Sequence, residues 1–392
     1  MRLSTSTLSL AITSLMGIGL SCILVACNSS SSSDTASAAT PTPTNTTTPT
    51  TTDNSTTNTS SGTTTSTTST SSTTCTTQTT TATKLQCLAA AFETTLSSSE
   101  LATVRVSLSS SNATSKWSNL PVTMVAREGL SLESLSSTSK AAAEALMNAA
   151  LSSQGQTQMS NMRAADGYLA TIQATDYGAN KYYIAFLGTP STTSPWMIQF
   201  TGHHYTTHIA VNGTTNLTSH TPMFVAVEPT SWTASGVSYE PLKQHHDSLL
   251  AMLNGLSSTQ LATAKLSQAY DDLVVGPQKD GKFPSTALGL QVSTLSSAQQ
   301  DLVKAAIAAY ASNPADTAAY DAYTSSAALA STYISWASYS DLATKGSYVR
   351  IDGPRVWIEF SVQNGILIRN KVHFHSIWRD KQYDLAQTLR FK

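Results

Sequence analysis

Charge is scarce in this chain. Lys, Arg, Asp and Glu together make up 11% of its 392 residues, against about a quarter in ordinary globular proteins. The signs nearly cancel, to a net −1. No basic surface therefore points to nucleic acid, and no acidic run forms a tail. Cysteine is sparse too: Cys22, Cys27, Cys75 and Cys87, with no C-x-x-C pair among them. That argues against a zinc ribbon or a thioredoxin-type redox site. Familiar catalytic signatures are missing as well. Beyond residue 27 there is no G-x-S-x-G elbow, P-loop, H-E-x-x-H or G-x-G-x-x-G, which disfavours serine hydrolases and nucleotide enzymes.

What is present starts with an address. Met1-Arg2 is followed by a largely apolar run, Leu8 to Ala26, ending Leu24-Val25-Ala26-Cys27. A positive start, an apolar core and small residues before a cut site make a secretory signal. An uncleaved membrane helix is the alternative, since the run is just long enough to span. Leu-Val-Ala-Cys resembles the lipobox of bacterial lipoproteins. The resemblance implies that Cys27 is lipidated, that Cys22 is discarded, and that the protein is anchored to a membrane in the cell envelope. With Asn28 next, it implies the outer membrane of a Gram-negative cell.

Residues 28–83 are almost entirely Ser, Thr, Asn, Ala and Pro. Such chain cannot bury enough apolar surface to offset its conformational entropy, and a disordered tether is expected. At about 40 Å root-mean-square, it would hold a domain clear of a lipid surface. From Lys84 apolar periodicity begins, and all six tryptophans follow. The expected organisation is signal 1–27, tether 28–83 and one globular domain, 84–392. Cys75 and Cys87 are either a disulfide or two unrelated thiols; sequence alone leaves both open.

Within the domain, Leu-Ser-Ser-x recurs at Leu96, Leu135, Leu256 and Leu295. Ser97, Ser257 and Ser296 have Glu100, Gln260 and Gln299 three positions on, the reciprocal capping box of a helix start. The interval from Leu96 to Leu135 equals that from Leu256 to Leu295. Gly129-Leu130-Ser131-Leu132 is also matched by Gly289-Leu290-Gln291-Val292. Each helical unit precedes strands, with Trp196–Thr201 paralleled by Val356–Ser361. The expected fold is α+β: helical units on antiparallel β-sheet or meander regions, with two duplicated halves as one reading and convergent helix starts as the other. Asn212-Gly213, Asp352-Gly353 and Asn364-Gly365 are the expected turns.

The eight histidines concentrate in the β-regions. His373-Phe374-His375 places two imidazoles on one strand face, about 7 Å apart along the chain. Gly202-His203-His204 would point its histidines to opposite faces unless the backbone bends at Gly202. His204 and His208 share parity. The functional reading is that His373, His375 and His203 or His204 bind zinc or copper, metals that imidazole suits. The bland reading is polar-core histidines. His245-His246-Asp247 reads as a solvated face of a helix, Lys243–Leu253. A two-residue Asn364-Gly365 turn would put Glu359 and His373 on opposite faces; a longer loop would reverse that. Glu228 is a second carboxylate candidate. Arg379 and Asp380 could orient a histidine, bind an anion or pair with each other.

Trp196…Gly202-His203-His204, Thr221-Pro222-Met223-Phe224 with Glu228-Pro229, and Tyr348–Pro354 through His373-Phe374-His375-Ser376-Ile377-Trp378-Arg379-Asp380 resemble the domain-of-unknown-function family 3500 over about residues 97–384. The resemblance implies no particular activity. It marks Gly202, His203, His204, His373, His375, Arg379 and Asp380 as motif positions. Family tails run on to an acidic residue, an aromatic and a Gly, whereas here Asp384 is followed by Leu385-Ala386. The leading expectation is an extracytoplasmic, metal-dependent enzyme of hydrolase type. Its ligands would be His373 and His375 with His204 or His203; Arg379 would hold an anionic group and Asp380 would orient. The alternatives are a non-catalytic metal- or small-molecule-binding lipoprotein, and a structural or interaction domain of the envelope.

Overall fold

A computed structural model describes residues 72–385, except 213, 214 and 216. The expected signal 1–27 with Cys27, and the tether as far as 71, lie outside the described residues. Helical structure begins before the expected boundary at Lys84. Helix α1 (Thr81–Glu93) starts at Thr81, where the Thr80 hydroxyl accepts the Thr83 amide. A short 3-10 turn, Ser72–Thr77, precedes it. Cys75 is buried and joined to Cys87 by a disulfide. The cross-link to α1 anchors a Ser/Thr-rich stretch whose own side chains offer little to bury.

Eight further helices of the described residues are α2 (Ser98–Val104), α3 (Ser110–Ser115), α4 (Ser137–Ala150), α5 (Ser153–Ala170), α6 (Lys243–Asn254), α7 (Ser258–Ala264), α8 (Ser297–Ala311) and α9 (Ala318–Thr324); α10 (Ser326–Ala330) follows. The capping boxes form as expected at Ser97, Ser257 and Ser296. At Ser136 the side chain caps Ser139 without a reciprocal partner of Glu or Gln type. None of the described helices is long and apolar enough to cross a membrane.

The strands are β1 (Arg105–Val106), β2 (Leu130–Ser131), β3 (Tyr183–Leu187), β4 (Pro195–Thr201), β5 (Tyr205–Asn212), β6 (Leu217–Ser219) and β7 (Met223–Val227) in the first half. A separate hairpin, β8 (Trp232–Ala234) with β9 (Val237–Tyr239), follows. The second half has β10 (Leu290–Gln291), β11 (Tyr333–Ala337), β12 (Tyr348–Asp352), β13 (Val356–Asn364) and β14 (Val372–Asp380). Twelve strands form one sheet, ordered β1-β3-β4-β5-β7-β14-β13-β12-β11-β10, with β2 beside β3 and β6 beside β5. The fold is α+β, as expected.

The sheet reads alike from both edges. β2 runs antiparallel to β3 as β10 does to β11. Arg105 pairs in parallel with Phe186, as Lys265 does with Trp336. β7 and β14 meet antiparallel between the halves. The two Trp strands do not take matching places, however. β4 lies next to β3, whereas β13 is separated from β11 by β12.

All three expected turns are longer than two residues. Asp352 ends β12 and faces Trp357, so residues 353–355 connect β12 to β13. Asn212 faces Leu217, so the Asn212-Gly213 hairpin uses 213–216, mostly outside the described residues. Asn364 faces Val372 and Val356 faces Asp380, so residues 365–371 connect β13 to β14. Glu359 therefore faces Ile377 and shares a face with His373 and His375. The longer connection reverses the face assignment drawn from a two-residue turn.

The sheet has two unlike faces. One carries Ile198, Phe200, Ile358, Phe360 and Phe374 against α1, α4, α5, α6 and α8. Burying a side chain of the size of Phe360 contributes about 1.5–3 kcal/mol, so this face holds most of the stability. The other face is thinner: Met197, Phe224, Ala226 and Ile377 against Ala113, Trp117 and Leu273. His208, His373 and His375 lie on this second face, whereas His245 and His246 of α6 lie over the first.

Candidate metal centre

Gly202 stands where it does because of Tyr182. A Cβ there would come within 2.3 Å of the Tyr182 ring. The Gly202 amide donates to the Tyr205 carbonyl across the β4–β5 connection, and His203 and His204 occupy the tip of that tight turn. The backbone does bend at Gly202, and the histidines consequently leave the strand alternation. Their rings stack, with centroids 3.4 Å apart.

β14 brings the other pair. His373 and His375 are on one face as the period of two requires, with ring centroids 4.5 Å apart. His204 Nε2 lies 3.2 Å from His373 Nε2. Two nitrogens on one tetrahedral ion at about 2.0–2.1 Å stand about 3.3 Å apart. One potential ligand atom from each of His204, His373 and His375 falls in a set whose members are all within 4.8 Å of one another. Asp166, His203 and His204 form a second such set.

Carboxylates fix the imidazoles. Asp272 Oδ1 is 3.0 Å from His375 Nδ1, and Asp166 Oδ1 is 3.0 Å from His203 Nδ1. A carboxylate that accepts the Nδ1–H hydrogen bond leaves Nε2 as the ligand atom. The Gln363 amide also stands 2.9 Å from His375 Nδ1. Burial works to raise the Asp272 carboxyl, and the hydrogen bond and charge of His375 outweigh it, so the group sits below its usual range. Asp166 also accepts the Tyr182 hydroxyl at 2.6 Å, so the residue that requires Gly202 also steadies His203. Glu228 Oε2 is 3.9 Å from His373 Nδ1, while its Oε1 accepts the amides of Leu367 and Ile368.

Burial favours the neutral form of His204 and His373. His204 is pushed well below its usual range by desolvation, then by the charges of His203, His373 and His375. His373 is lowered by desolvation, then by His375 and His203. The neutral imidazole is the form that binds metal.

Other sequence candidates lie elsewhere. Arg379 and Asp380 are adjacent on β14 and so face opposite ways. Arg379 is fully buried. It donates to the Val275 and Gly276 carbonyls and to Asp280 and Asp384, so four of its five N–H donors go to protein groups and two carboxylates already face its charge. Asp380 accepts from Arg355 and from the Tyr323 hydroxyl. The two neither pair with each other nor bond the histidines. Glu359, though on the right face, accepts the Val274 and Val275 amides, the Tyr348 hydroxyl and the Trp357 indole. With Arg379 it pins the loop that carries Asp272. His208 bonds Gln199 and the Pro222 carbonyl. His245, expected on a solvated face, is buried against Gln158 and Tyr310.

Asp166 and Asp272 were not singled out in the sequence. Asp166 carries a signal: it lies on the buried stripe of α5 with Met159, Met162 and Leu169, where a carboxylate needs a partner. Asp272 sits in an irregular loop, and no periodicity marks it.

A sheet with helices on one face and a histidine–carboxylate cluster on the other defines an α+β protein with a metal-competent centre. The chain belongs to the family described as Protein of unknown function (DUF3500), which matches residues 78–387. No curated protein and no solved structure matches it.

Proposed function

We propose that the protein is a metal-dependent enzyme of hydrolase type. It would be exported, lipid-anchored through Cys27 and placed in the cell envelope at the outer membrane. The observation that carries the enzyme reading is the meeting of His204, His373 and His375. Three imidazoles are the donor set of a catalytic zinc site, which keeps a position open for water. Zinc or copper suits them. A cavity of about 450 Å³ opens beside the cluster, bordered by His203, Tyr177 and Glu228. That room favours a small-molecule substrate over a closed structural site. The Cys75–Cys87 disulfide suits an oxidising compartment and supports export. The mirrored sheet order supports a duplicated origin of the halves.

Metal content of the purified chain, by elemental mass spectrometry, is the test. Near-stoichiometric zinc or copper, lost in a folded His373→Ala/His375→Ala variant, is expected. No metal after reloading would overturn the reading and leave a binding or structural module.

A further inference from the structure

We infer that the centre acts on uncharged acyl compounds, esters or amides, whose acyl part is an aliphatic chain; this rests on the metal-centre reading above. The lining of the cavity divides in two. Histidines form one side, while Leu120, Met124, Ile366 and Leu367 form an apolar border. Leu120, Met124 and Ile366 are 41%, 67% and 65% exposed. Large apolar side chains held open to water beside a polar cavity mark a ligand surface.

Each lip is tied down. Arg127 donates to the carbonyls of Ser118, Leu120 and Val125, and also to that of Gly202. One guanidinium thus joins the first lip to the turn bearing His203 and His204. The second lip hangs from Glu228 through the Leu367 and Ile368 amides. The border is therefore fixed relative to the imidazoles.

Charge selects the head group. The charged side chains of the lining are Asp176, Glu228 and Asp272, and no Lys or Arg of the described residues joins them. Arg127 lies behind the lip with its bonds made to carbonyls, and Arg379 is sealed among Asp280 and Asp384. A phosphate or carboxylate head would face three carboxylates with only the ion to hold it. An acyl oxygen needs only the ion. An ion held by His204, His373 and His375 would polarise the acyl oxygen and lower the pKa of a nearby water; in the reaction that water would add its oxygen to the acyl carbon. The bond from that carbon to the leaving oxygen or nitrogen breaks, and the leaving group takes a proton from the water. The products are a carboxylic acid and an alcohol or amine, and no oxidant or reductant enters.

The full chain, loaded with cobalt(II) as a spectroscopic ion, is titrated with acetohydroxamate, octanohydroxamate and octylphosphonate. Both hydroxamates should shift the cobalt absorption. Octanohydroxamate should bind at least about tenfold tighter than acetohydroxamate, a modest part of what its added methylenes offer when buried. A Met124→Lys/Ile366→Lys variant should lose most of that ratio, and octylphosphonate should bind more weakly than octanohydroxamate. Equal affinity for the two hydroxamates, or tighter phosphonate binding, would overturn the substrate class and leave the centre standing. A cobalt spectrum that is missing, or unchanged in His373→Ala/His375→Ala, would overturn the centre itself and this inference with it.

Discussion

Asp272 reaches His375 through one hydrogen bond, and that bond decides which imidazole nitrogen is free. Its side chain is 44% exposed, so little of the fold depends on it. Asp272→Asn should lower metal affinity about 10–100-fold with the fold retained. Competition with a chelator measures this, and an unchanged affinity would remove Asp272 from the site. Arg379 should behave in the opposite way. Arg379→Met leaves Asp280 and Asp384 without their cation, and breaking a buried pair of this kind costs about 3–5 kcal/mol. Urea unfolding would show the loss. A residue that merely held an anionic substrate would leave the unfolding midpoint nearly unmoved. The sequence could nominate Arg379 but not assign its role, because Val275, Gly276 and Asp280 lie about a hundred residues upstream.

Elements were legible where their signals are local. The capping boxes at Ser97, Ser257 and Ser296, the strand content of the two β-regions and the shared face of His373 and His375 all follow from spacing within a few residues. Ser257→Ala should destabilise by about 1 kcal/mol, the usual loss of an N-cap, visible in thermal melts. What was illegible depended on loops. The β13–β14 connection decides the face of Glu359, and its length could not be fixed from Asn364-Gly365 alone. The pairing of His203 with His204 depended on reading Gly202 as the edge of a turn. The Cys75–Cys87 bridge closes a short loop. Replacing both cysteines with serine should cost about 3 kcal/mol by the loop-entropy estimate. Unfolding with and without reductant should then coincide for that variant and differ for the wild type.

Across the whole molecule, buried histidines set the response to acid. Burial lowers His208 and His245 to about 3 and His220 to about 4. Unfolded histidine takes its proton near pH 6.5. A depressed folded value means the stability is present above that pH and is lost as pH falls toward the folded value. Each such group can cost up to about 1.4 kcal/mol per pH unit across the window. Asp384 works the other way. Burial raises it to about 6, so it favours the folded state as pH falls from about 6 toward about 4. Three groups outweigh one, and urea midpoints should drop between pH 6.5 and 4. His245→Gln, which keeps a partner for Gln158, should flatten that slope; an unchanged slope would show that His245 does not titrate on unfolding.

The seam between β7 and β14 has a consequence for timing. His204 and His373 lie 169 positions apart, and β14 is the last strand of the sheet in chain order. Closing so long a loop adds little to the equilibrium cost but much to the search. During synthesis, His203 can meet Asp166 early, whereas His204 waits without His373 and His375. An ion held by His204, His373 and His375 together would therefore arrive only after nearly all of the chain has emerged, so the surroundings in which the last strand docks, rather than those in which translation starts, would determine which metal is on offer.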